Sequence, residues 1–201
     1  YKALNFQKGQ LEAITGIRER RFWNDRFRVS EGAVSAGKKA IEDSGVCVED
    51  IGMLIYGGVC RENLEPATAC TVADALGISK DAHIFDISNA CLGVLNGMIQ
   101  VANAIELGHI KSGLVVSCES ARQIVDFTIE RLLESKNMDM FRKTIATLTG
   151  GSGAAAVLLA DRSFSGSGHP LVGGTIKNSA EHHKLCRWGP DTGIPASGLH
   201  V

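Results

Sequence analysis

The sequence predicts an α/β fold, a layered α-β-α arrangement around a largely parallel, mixed sheet. Short, continuous apolar runs, typical of strands buried on both faces, alternate with longer segments whose apolar residues recur every three or four positions. Glycine is abundant at 23 residues, whereas proline is rare at 4 and aromatic residues make up only 5%. Alternating strands and helices are the pattern of a sheet whose strands are joined by crossover helices.

The predicted elements follow one another with short connections. Ser30 is expected to cap the first helix, and Pro66 is expected at the first position of the second. Glycines at 45, 77 and 108 are expected to end three of the helices. In order, the prediction gives a helix at 30–44, a strand at 51–58, a helix at 66–76, a strand at 83–87, a helix at 91–107, a strand at 113–118, a helical region at 122–147 that breaks near Asn137, and strands at 152–159 and 171–176.

Two of these elements are expected to have crowded surroundings. The helix at 91–107 has apolar residues on all faces, so it is predicted to lie deep inside the protein. The strand at 152–159 begins with glycine and alanines, which indicates that another element packs closely against its backbone.

The amino-acid composition argues against several classes of function. The 201 residues carry 21 Lys and Arg against 22 Asp and Glu, and the mean hydropathy is +0.05. This balance argues against binding to nucleic acid or to an anionic membrane surface. No apolar stretch approaches the ~18 residues of a membrane span, and no signal peptide is recognisable, so a cytoplasmic protein without a membrane partner is expected.

The six cysteines show neither a C-x-x-C pair nor a metal-ligand spacing, so neither a disulfide nor a metal site is expected. Five of them are expected to be core or incidental surface residues. These are Cys47, Cys60, Cys70, Cys118 and Cys186.

Cys91 differs because it lies at a predicted strand-to-helix junction. Its sulfur is expected near unpaired backbone N–H groups and the positive end of a helix dipole. That setting favours the thiolate by lowering the thiol pKa, and the same N–H groups can hold the oxyanion of a tetrahedral intermediate. Cys91 is therefore a candidate nucleophile and backbone oxyanion donor, the alternative being a small buried core residue.

Several segments resemble the thiolase-superfamily condensing enzymes. Residues 86–93 (Asp-Ile-Ser-Asn-Ala-Cys-Leu-Gly) resemble the segment that carries their nucleophilic cysteine. Residues 15–21 (Thr-Gly-Ile-Arg-Glu-Arg-Arg) resemble an early signature of β-ketoacyl-[acyl-carrier-protein] synthase III. Within that family, the chain is most similar to the long-chain acyl-CoA condensing enzymes of bacterial olefin biosynthesis, at residues 64–69, 89–92, 96–98 and 184–187.

The resemblance implies a thiolase-like fold, of which residues 1–201 would form the N-terminal half, and a ping-pong Claisen condensation. Cys91 would take an acyl group from an acyl-CoA or acyl-carrier-protein thioester, and the α-carbon of a second thioester would attack it. The product would be a β-ketoacyl thioester for fatty-acid or olefin-type lipid biosynthesis. The resemblance implies no cofactor beyond these substrates.

By its spacing from Cys91, Glu65 matches a glutamate of the olefin-pathway enzymes. In those enzymes this glutamate has a role in removing the α-proton in the active site of the partner subunit. The resemblance thus implies a homodimer in which Glu65 serves Cys91 of the partner subunit. Such a base needs a raised pKa in a dry site. The position before Pro66, at a predicted helix N-terminus, equally suits a capping or solvated carboxylate, whose pKa the helix dipole would lower.

The chain also departs from the family pattern. The histidine and asparagine that the family pairs with its cysteine would follow Val201, and none of the six histidines has a matching context. Gln10 and Ile14 stand where ketoacyl synthase III has a tryptophan and an arginine that contact coenzyme A. The glycine cluster at 150–153 lacks the family's aspartate and precedes a strand, which argues against a phosphate cradle. The chain alone is therefore expected to be inactive.

Three other functions remain open from the sequence. A synthase III of the decarboxylating type would use malonyl-carrier protein. A chain-length factor or other non-catalytic partner subunit would hold Cys91 only as a core residue. A cysteine hydrolase would pass the acyl group to water.

Overall fold

A four-stranded mixed sheet forms the centre of the protein in the computed structural model, which describes residues 7–164 and 169–184. β1 pairs in parallel with both β2 and β3, and β4 pairs antiparallel with β3, so the order is β2-β1-β3-β4. This confirms the predicted mixed, largely parallel sheet. The strands are β1 (Ile51–Gly57), β2 (His83–Ile87), β3 (Ser112–Glu119) and β4 (Gly153–Ala160).

Helices cover both faces of the sheet, as predicted. They are α1 (Gln10–Thr15), α2 (Val29–Ser44), α3 (Thr68–Leu76), α4 (Gly93–Glu106), α5 (Arg122–Ser135) and α6 (Met138–Thr144). Single 3-10 turns occur at Val48–Asp50, Thr147–Thr149 and Ala180–His182. The predicted break near Asn137 is confirmed, since the Asn137 side chain accepts hydrogen bonds from two N–H groups at the start of α6.

Successive side chains of β1 point to opposite faces of the sheet and so contribute to two separate parts of the core. Leu54 and Tyr56 pack toward α2 and α3, whereas Met53 and Ile55 pack toward α4. All four residues are buried. A strand with both faces covered explains the continuous apolar run in the sequence.

The predicted starts of two helices were wrong. Arg28 is the N-cap of α2, and Ser30 lies inside the helix, where its hydroxyl bonds to Glu62 instead. Pro66 precedes α3, which begins at Thr68. α3 starts there because a residue outside the helix caps it. The Asp86 carboxylate in β2 accepts hydrogen bonds from the first N–H groups of α3.

The helix predicted at 91–107 begins two residues later, and the prediction that it lies deep inside is wrong for one of its sides. Gly97 and Val101 pack against the sheet and are buried. Leu92 and Leu95 are 47% and 54% exposed. One sheet face covers only one side of a helix, and within the described residues no second layer covers the other side of α4.

The strand predicted at 171–176 is absent, because residues 169–179 form neither helix nor strand. Its apolar side chains include Val172, which is 91% exposed. An apolar run becomes a strand only where a neighbouring edge supplies backbone partners, and none pairs with this segment. Cys186, His200 and most of the 184–187 motif lie outside the described residues. None of the helices in the described part of the chain is long and apolar enough to cross a membrane.

Candidate active site

Cys91 lies on a sharp turn between the carboxyl end of β2 and the start of α4. Ala90 has a φ of 45°, which alanine rarely adopts, and its carbonyl accepts the N–H of Gly93 at 3.2 Å. The Asn89 carbonyl accepts the N–H of Leu92 at 2.9 Å. The thiol-bearing residue is exposed on this turn, whereas Cys60 and Cys118 are buried in the core.

The geometry corrects one detail of the sequence prediction. The N–H groups of Leu92 and Gly93, which directly follow Cys91, are bonded within the turn and are not free to hold an oxyanion. The first turn of α4 begins at Gly93, so the positive end of its dipole still lies next to Cys91. Cys91 is exposed within this chain.

A glycine contact fixes the start of α4 against the end of β1. A Cβ atom on Gly93 would lie 2.9 Å from the Gly58 nitrogen, and one on Gly57 would lie 2.7 Å from the Gly93 carbonyl carbon. Only residues without a side chain allow the two backbones to approach so closely. The turn that bears Cys91 is therefore held directly on the sheet.

Glu65 lies in the loop between β1 and α3 and is exposed. This loop and the Cys91 turn both leave the carboxyl ends of adjacent parallel strands, so they share one edge of the sheet. Among the described residues, no hydrogen bond or ion pair joins Glu65 to another side chain, Cys91 included. Of the alternatives for Glu65, the capping role was wrong, because Asp86 caps α3, whereas a solvated carboxylate agrees with the exposure of Glu65 in this chain.

The root of the Glu65 loop is bound tightly to β3. The Glu119 carboxylate accepts the N–H of Val59 at 2.6 Å and the N–H of Cys60 at 3.3 Å. The Tyr56 hydroxyl lies 2.7 Å from the carbonyl oxygens of both Cys60 and Cys118. Burial, followed by the nearby Glu119 charge, raises the pKa of the Tyr56 phenol well above its usual value.

Glu62 joins the same loop to the start of α2. Its carboxylate accepts hydrogen bonds from the N–H of Ser30 at 2.9 Å, from the Ser30 hydroxyl and from the Arg28 guanidinium at 2.9 Å. Burial of this carboxyl group favours its neutral form, but the bonds from Ser30 and the Arg28 charge outweigh burial and hold its pKa below the usual value. Sequence reasoning missed Glu62, Glu119 and Asp86. Only Asp86 gave a signal, as a carboxylate interrupting an apolar strand.

The described histidines lie away from the Cys91 turn in the topology. His83 begins β2, at the opposite end of that strand, and His109 follows the far end of α4. His182 lies in an exposed 3-10 turn, and His169 and His183 are exposed. No group of three or more His, Cys, Asp or Glu residues suited to a metal ion occurs in residues 7–164 and 169–184.

A cavity of about 640 Å³ is lined in part by residues 60–63, at the beginning of the Glu65 loop. Neither Cys91 nor Glu65 lines it. Its charged groups are partly paired with one another, Arg28 with Glu62 and Arg122 with Asp25. Its wall is formed by residues that include Trp23, Phe27, Arg28, Glu62, Arg122 and Phe127.

Comparison with known proteins places this geometry in a family. The model of the family "3-Oxoacyl-[acyl-carrier-protein (ACP)] synthase III" matches residues 85–173, which include the Cys91 turn and α4. A protein of Shewanella oneidensis named acyl-CoA:acyl-CoA alkyltransferase is 52% identical over 192 residues, which cover 94% of this chain and 55% of that protein. The chain belongs to the synthase III-like condensing enzymes of the thiolase superfamily. The resemblance inferred from the sequence is confirmed.

Solved structures of these condensing enzymes share the fold. A cysteine-to-serine variant of Xanthomonas campestris OleA with bound lauric acid and lauroyl-CoA has a TM-score of 0.79 and 35% identity, covering 95% of this chain and 57% of that chain. A glutamate-to-glutamine variant of the same protein has a TM-score of 0.75 and 37% identity, covering 82% of this chain and 48% of that chain. The thiolase-like fold is confirmed, and the chain spans about half the length of these condensing enzymes.

Proposed function

We propose that the protein containing this chain is an acyltransferase that joins two acyl thioesters by Claisen condensation, in a fatty-acid or olefin-type lipid pathway. The observation that carries the proposal is the exposed Cys91, held on a strained turn at the amino end of α4 within the family-matched segment. The name of the Shewanella relative and the lauroyl-CoA bound to Xanthomonas OleA favour acyl-CoA as the substrate. We expect the protein in the cytoplasm.

The first step would load Cys91. The thiolate attacks the carbonyl carbon of an acyl-CoA, the C–S bond to coenzyme A breaks, and coenzyme A leaves as the thiol after taking up a proton. The adjacent positive end of the α4 dipole would favour the thiolate before attack. We assign the backbone N–H of Cys91 itself to the oxyanion, with a second donor from outside this chain.

The second step would form the carbon–carbon bond. A base removes a proton from the α-carbon of a second acyl thioester, and the resulting carbanion attacks the carbonyl carbon of the acyl-cysteine. The bond to the Cys91 sulfur breaks, so the thiolate is regenerated and a β-ketoacyl thioester is released. We assign the base to Glu65.

Two observations support this role for Glu65. The glutamate and the cysteine substituted in the OleA structures are the same number of positions apart as Glu65 and Cys91. Glu65 is also exposed in its own chain and has no bond to its own Cys91. An outward-facing carboxylate fits a homodimer in which Glu65 serves Cys91 of the partner subunit.

The remainder of the site would come from residues outside this chain. The family pairs its cysteine with a histidine and an asparagine from the second half of the fold, and none of the described histidines lies near the Cys91 turn. The exposed Leu92 and Leu95 on α4 form an apolar surface that the other half of the fold would cover. We therefore expect the isolated chain to be inactive.

Acyl loading of Cys91 tests the proposal directly. The protein in its full reading frame is incubated with lauroyl-CoA alone and digested. The mass of the peptide carrying Cys91 is then measured by mass spectrometry. A lauroyl adduct that hydroxylamine removes is expected there. The Cys91→Ala variant should carry no adduct, and Cys47→Ser should load normally, because exposed Cys47 precedes the amino end of β1, whereas the Cys91 turn follows the carboxyl end of β2. No adduct from acyl-CoA or from acyl-carrier protein would contradict the proposal and favour a non-catalytic partner subunit.

A decarboxylating synthase III is the second candidate, favoured by the family match over residues 85–173. The two reactions differ in stoichiometry, because a malonyl substrate loses one CO2 for each bond formed. Condensation of two lauroyl groups without CO2 release would support the first candidate. Dependence on malonyl-carrier protein, with one CO2 per turnover, would support the second.

A further inference from the structure

Glu65 lies in a short exposed span between two anchored segments. Residues 63–66 are all exposed, and Leu64 next to Glu65 reaches 95%. Directly before the span, the Glu62 side chain is only 9% exposed. Shortly after it, Thr68 and Ala69 are buried. The backbone therefore projects into solvent from residue 63 and packs against the protein again at residue 67.

Glu62 fixes the first end of the span to α2. Its three hydrogen bonds, from the Ser30 N–H, the Ser30 hydroxyl and Arg28, place a carboxylate at the amino end of that helix. The first N–H groups of a helix lack partners inside the helix, and the dipole there favours a negative charge. The Arg28 guanidinium adds a charge-assisted bond to the same group.

Asp86 fixes the second end of the span to the strand that leads to Cys91. One carboxylate oxygen accepts the N–H of Thr68 at 2.9 Å, and the other accepts the N–H of Ala69 at 2.8 Å. Asp86 belongs to β2, whose carboxyl end continues into the Cys91 turn. The span that bears Glu65 is thus tied to the same strand as Cys91.

We propose that Glu62 and Asp86 are positioning residues for Glu65, and that together they form a clamp that holds the exposed span in a single outward geometry. The five residues between Glu62 and Thr68 have little conformational freedom, since both ends are fixed and each residue spans at most about 3.6 Å. Holding a base before substrate arrives removes an ordering cost from the reaction itself. The part of the inference that concerns catalysis rests on the function proposed above for Glu65, whereas the clamp itself does not.

Hydrogen exchange in the full-length protein tests the clamp without relying on catalysis. Glu62→Gln and Asp86→Asn should each raise amide exchange of a peptide covering 63–69 about tenfold, and peptides from α4 should keep their exchange rates. Two exposed carboxylates serve as matched controls, Glu31→Gln in α2 and Asp81→Asn before β2. Unchanged exchange at 63–69, or an equal rise in α4, would overturn the proposal.

The two half-reactions separate positioning from general damage. In the Glu62 and Asp86 variants, loading of Cys91 by lauroyl-CoA should keep its KM and stay within about twofold in rate, whereas condensation should fall about tenfold or more. An equal fall in both half-reactions would overturn the positioning role. Glu65→Gln provides the reference. If it condenses normally, the base assignment under the proposed function is wrong, and the exchange experiment alone still decides whether the clamp exists.

Discussion

Gly57 and Gly93 touch backbone to backbone where β1 ends and α4 begins. A Cβ atom on Gly57 would come within 2.7 Å of the Gly93 carbonyl carbon, and one on Gly93 would come within 2.9 Å of the Gly57 carbonyl carbon. Gly93 is buried and opens the helix that follows Cys91. This contact therefore links the position of the candidate nucleophile to the central strand of the sheet.

Gly93→Ala should displace the first turn of α4. Because the new methyl group meets backbone atoms, which cannot rotate away, we expect a loss of about 1–3 kcal/mol in the free energy of unfolding. Acylation of Cys91 should slow about tenfold or more, since a small misplacement of a reacting group is costly. Denaturant unfolding and adduct formation measure the two effects. Gly174→Ala is the control, because a Cβ there meets no atom within 4 Å; equal behaviour of the two variants would contradict the prediction.

The two buried thiols should resist alkylation. Burial, together with the nearby Glu119 carboxylate, raises the pKa of both Cys60 and Cys118 to about 12. At pH 8 only about one thiol in ten thousand would then be ionised, whereas an ordinary thiol with a pKa of ~8.5 is about one quarter ionised.

Iodoacetamide labelling at pH 8, followed by peptide mass mapping, checks this difference. Exposed Cys47 and Cys70 should be labelled in the native protein, and Cys60 and Cys118 only after unfolding in guanidinium chloride. Labelling of the two buried thiols at the rate of Cys47 in native protein would contradict the burial of this part of the core.

The regular part of the fold was predictable from the sequence. β1 and β3 are buried on both faces, so their apolar runs could be recognised, and glycines in the left-handed conformation end α2 and α3 as expected. The strand predicted at 171–176 failed because an apolar run does not show whether a neighbouring edge is available. The deep burial predicted for α4 failed on the side of Leu92 and Leu95, which the sheet does not reach.

The candidate site was predictable only where it depends on local geometry. Cys91 stands at a strand-to-helix junction, which the sequence shows directly. The supporting carboxylates act over long sequence distances: Glu62 bonds Ser30, Glu119 bonds Val59, and Asp86 bonds Thr68. Such contacts exist only once the sheet has assembled, so no local pattern predicts them. Ser30 was noticed for its capping propensity, yet it bonds a carboxylate from another loop.

Glu62 should make stability depend on pH. Its pKa is lowered in the folded protein, so its contribution is fully present above the pKa of an unfolded glutamate, about 4.3, and is lost as pH falls through the folded value. Glu62→Gln should therefore cost about 1–3 kcal/mol in the free energy of unfolding at pH 7, because a charged acceptor of three hydrogen bonds is lost.

Urea unfolding at pH 7 and near pH 3.5 measures this dependence. The difference in the free energy of unfolding between the unaltered protein and Glu62→Gln should shrink at the lower pH. The control Glu31→Gln, at an exposed position, should differ little from the unaltered protein in this free energy at either pH. A difference that stays constant with pH would contradict an ionised Glu62 as the source of the stabilisation.

If Glu65 serves the partner's Cys91, each active site should need residues from both subunits. Full-length Cys91→Ala and Glu65→Ala proteins should each condense acyl-CoA at a small fraction of the normal rate. After mixing under conditions that exchange subunits, half of the dimers should be hybrids, in which one site combines intact Cys91 with intact Glu65 and the other has neither. Activity should then rise to about one quarter of normal, since one site in two works in half of the dimers.

The control for this experiment keeps both changes in one chain. A Cys91→Ala, Glu65→Ala double variant mixed with the unaltered protein should give no gain above the unaltered protein's own contribution, because its hybrid dimers contain no site with both residues. Exchange itself can be followed by mass spectrometry of intact dimers. Hybrid dimers that form and yet show no activity above either parent would mean that Glu65 acts within its own subunit or not at all. Since Glu65 is exposed and makes no hydrogen bond to Cys91 in its own chain, recovery of activity is the outcome that the loop geometry favours.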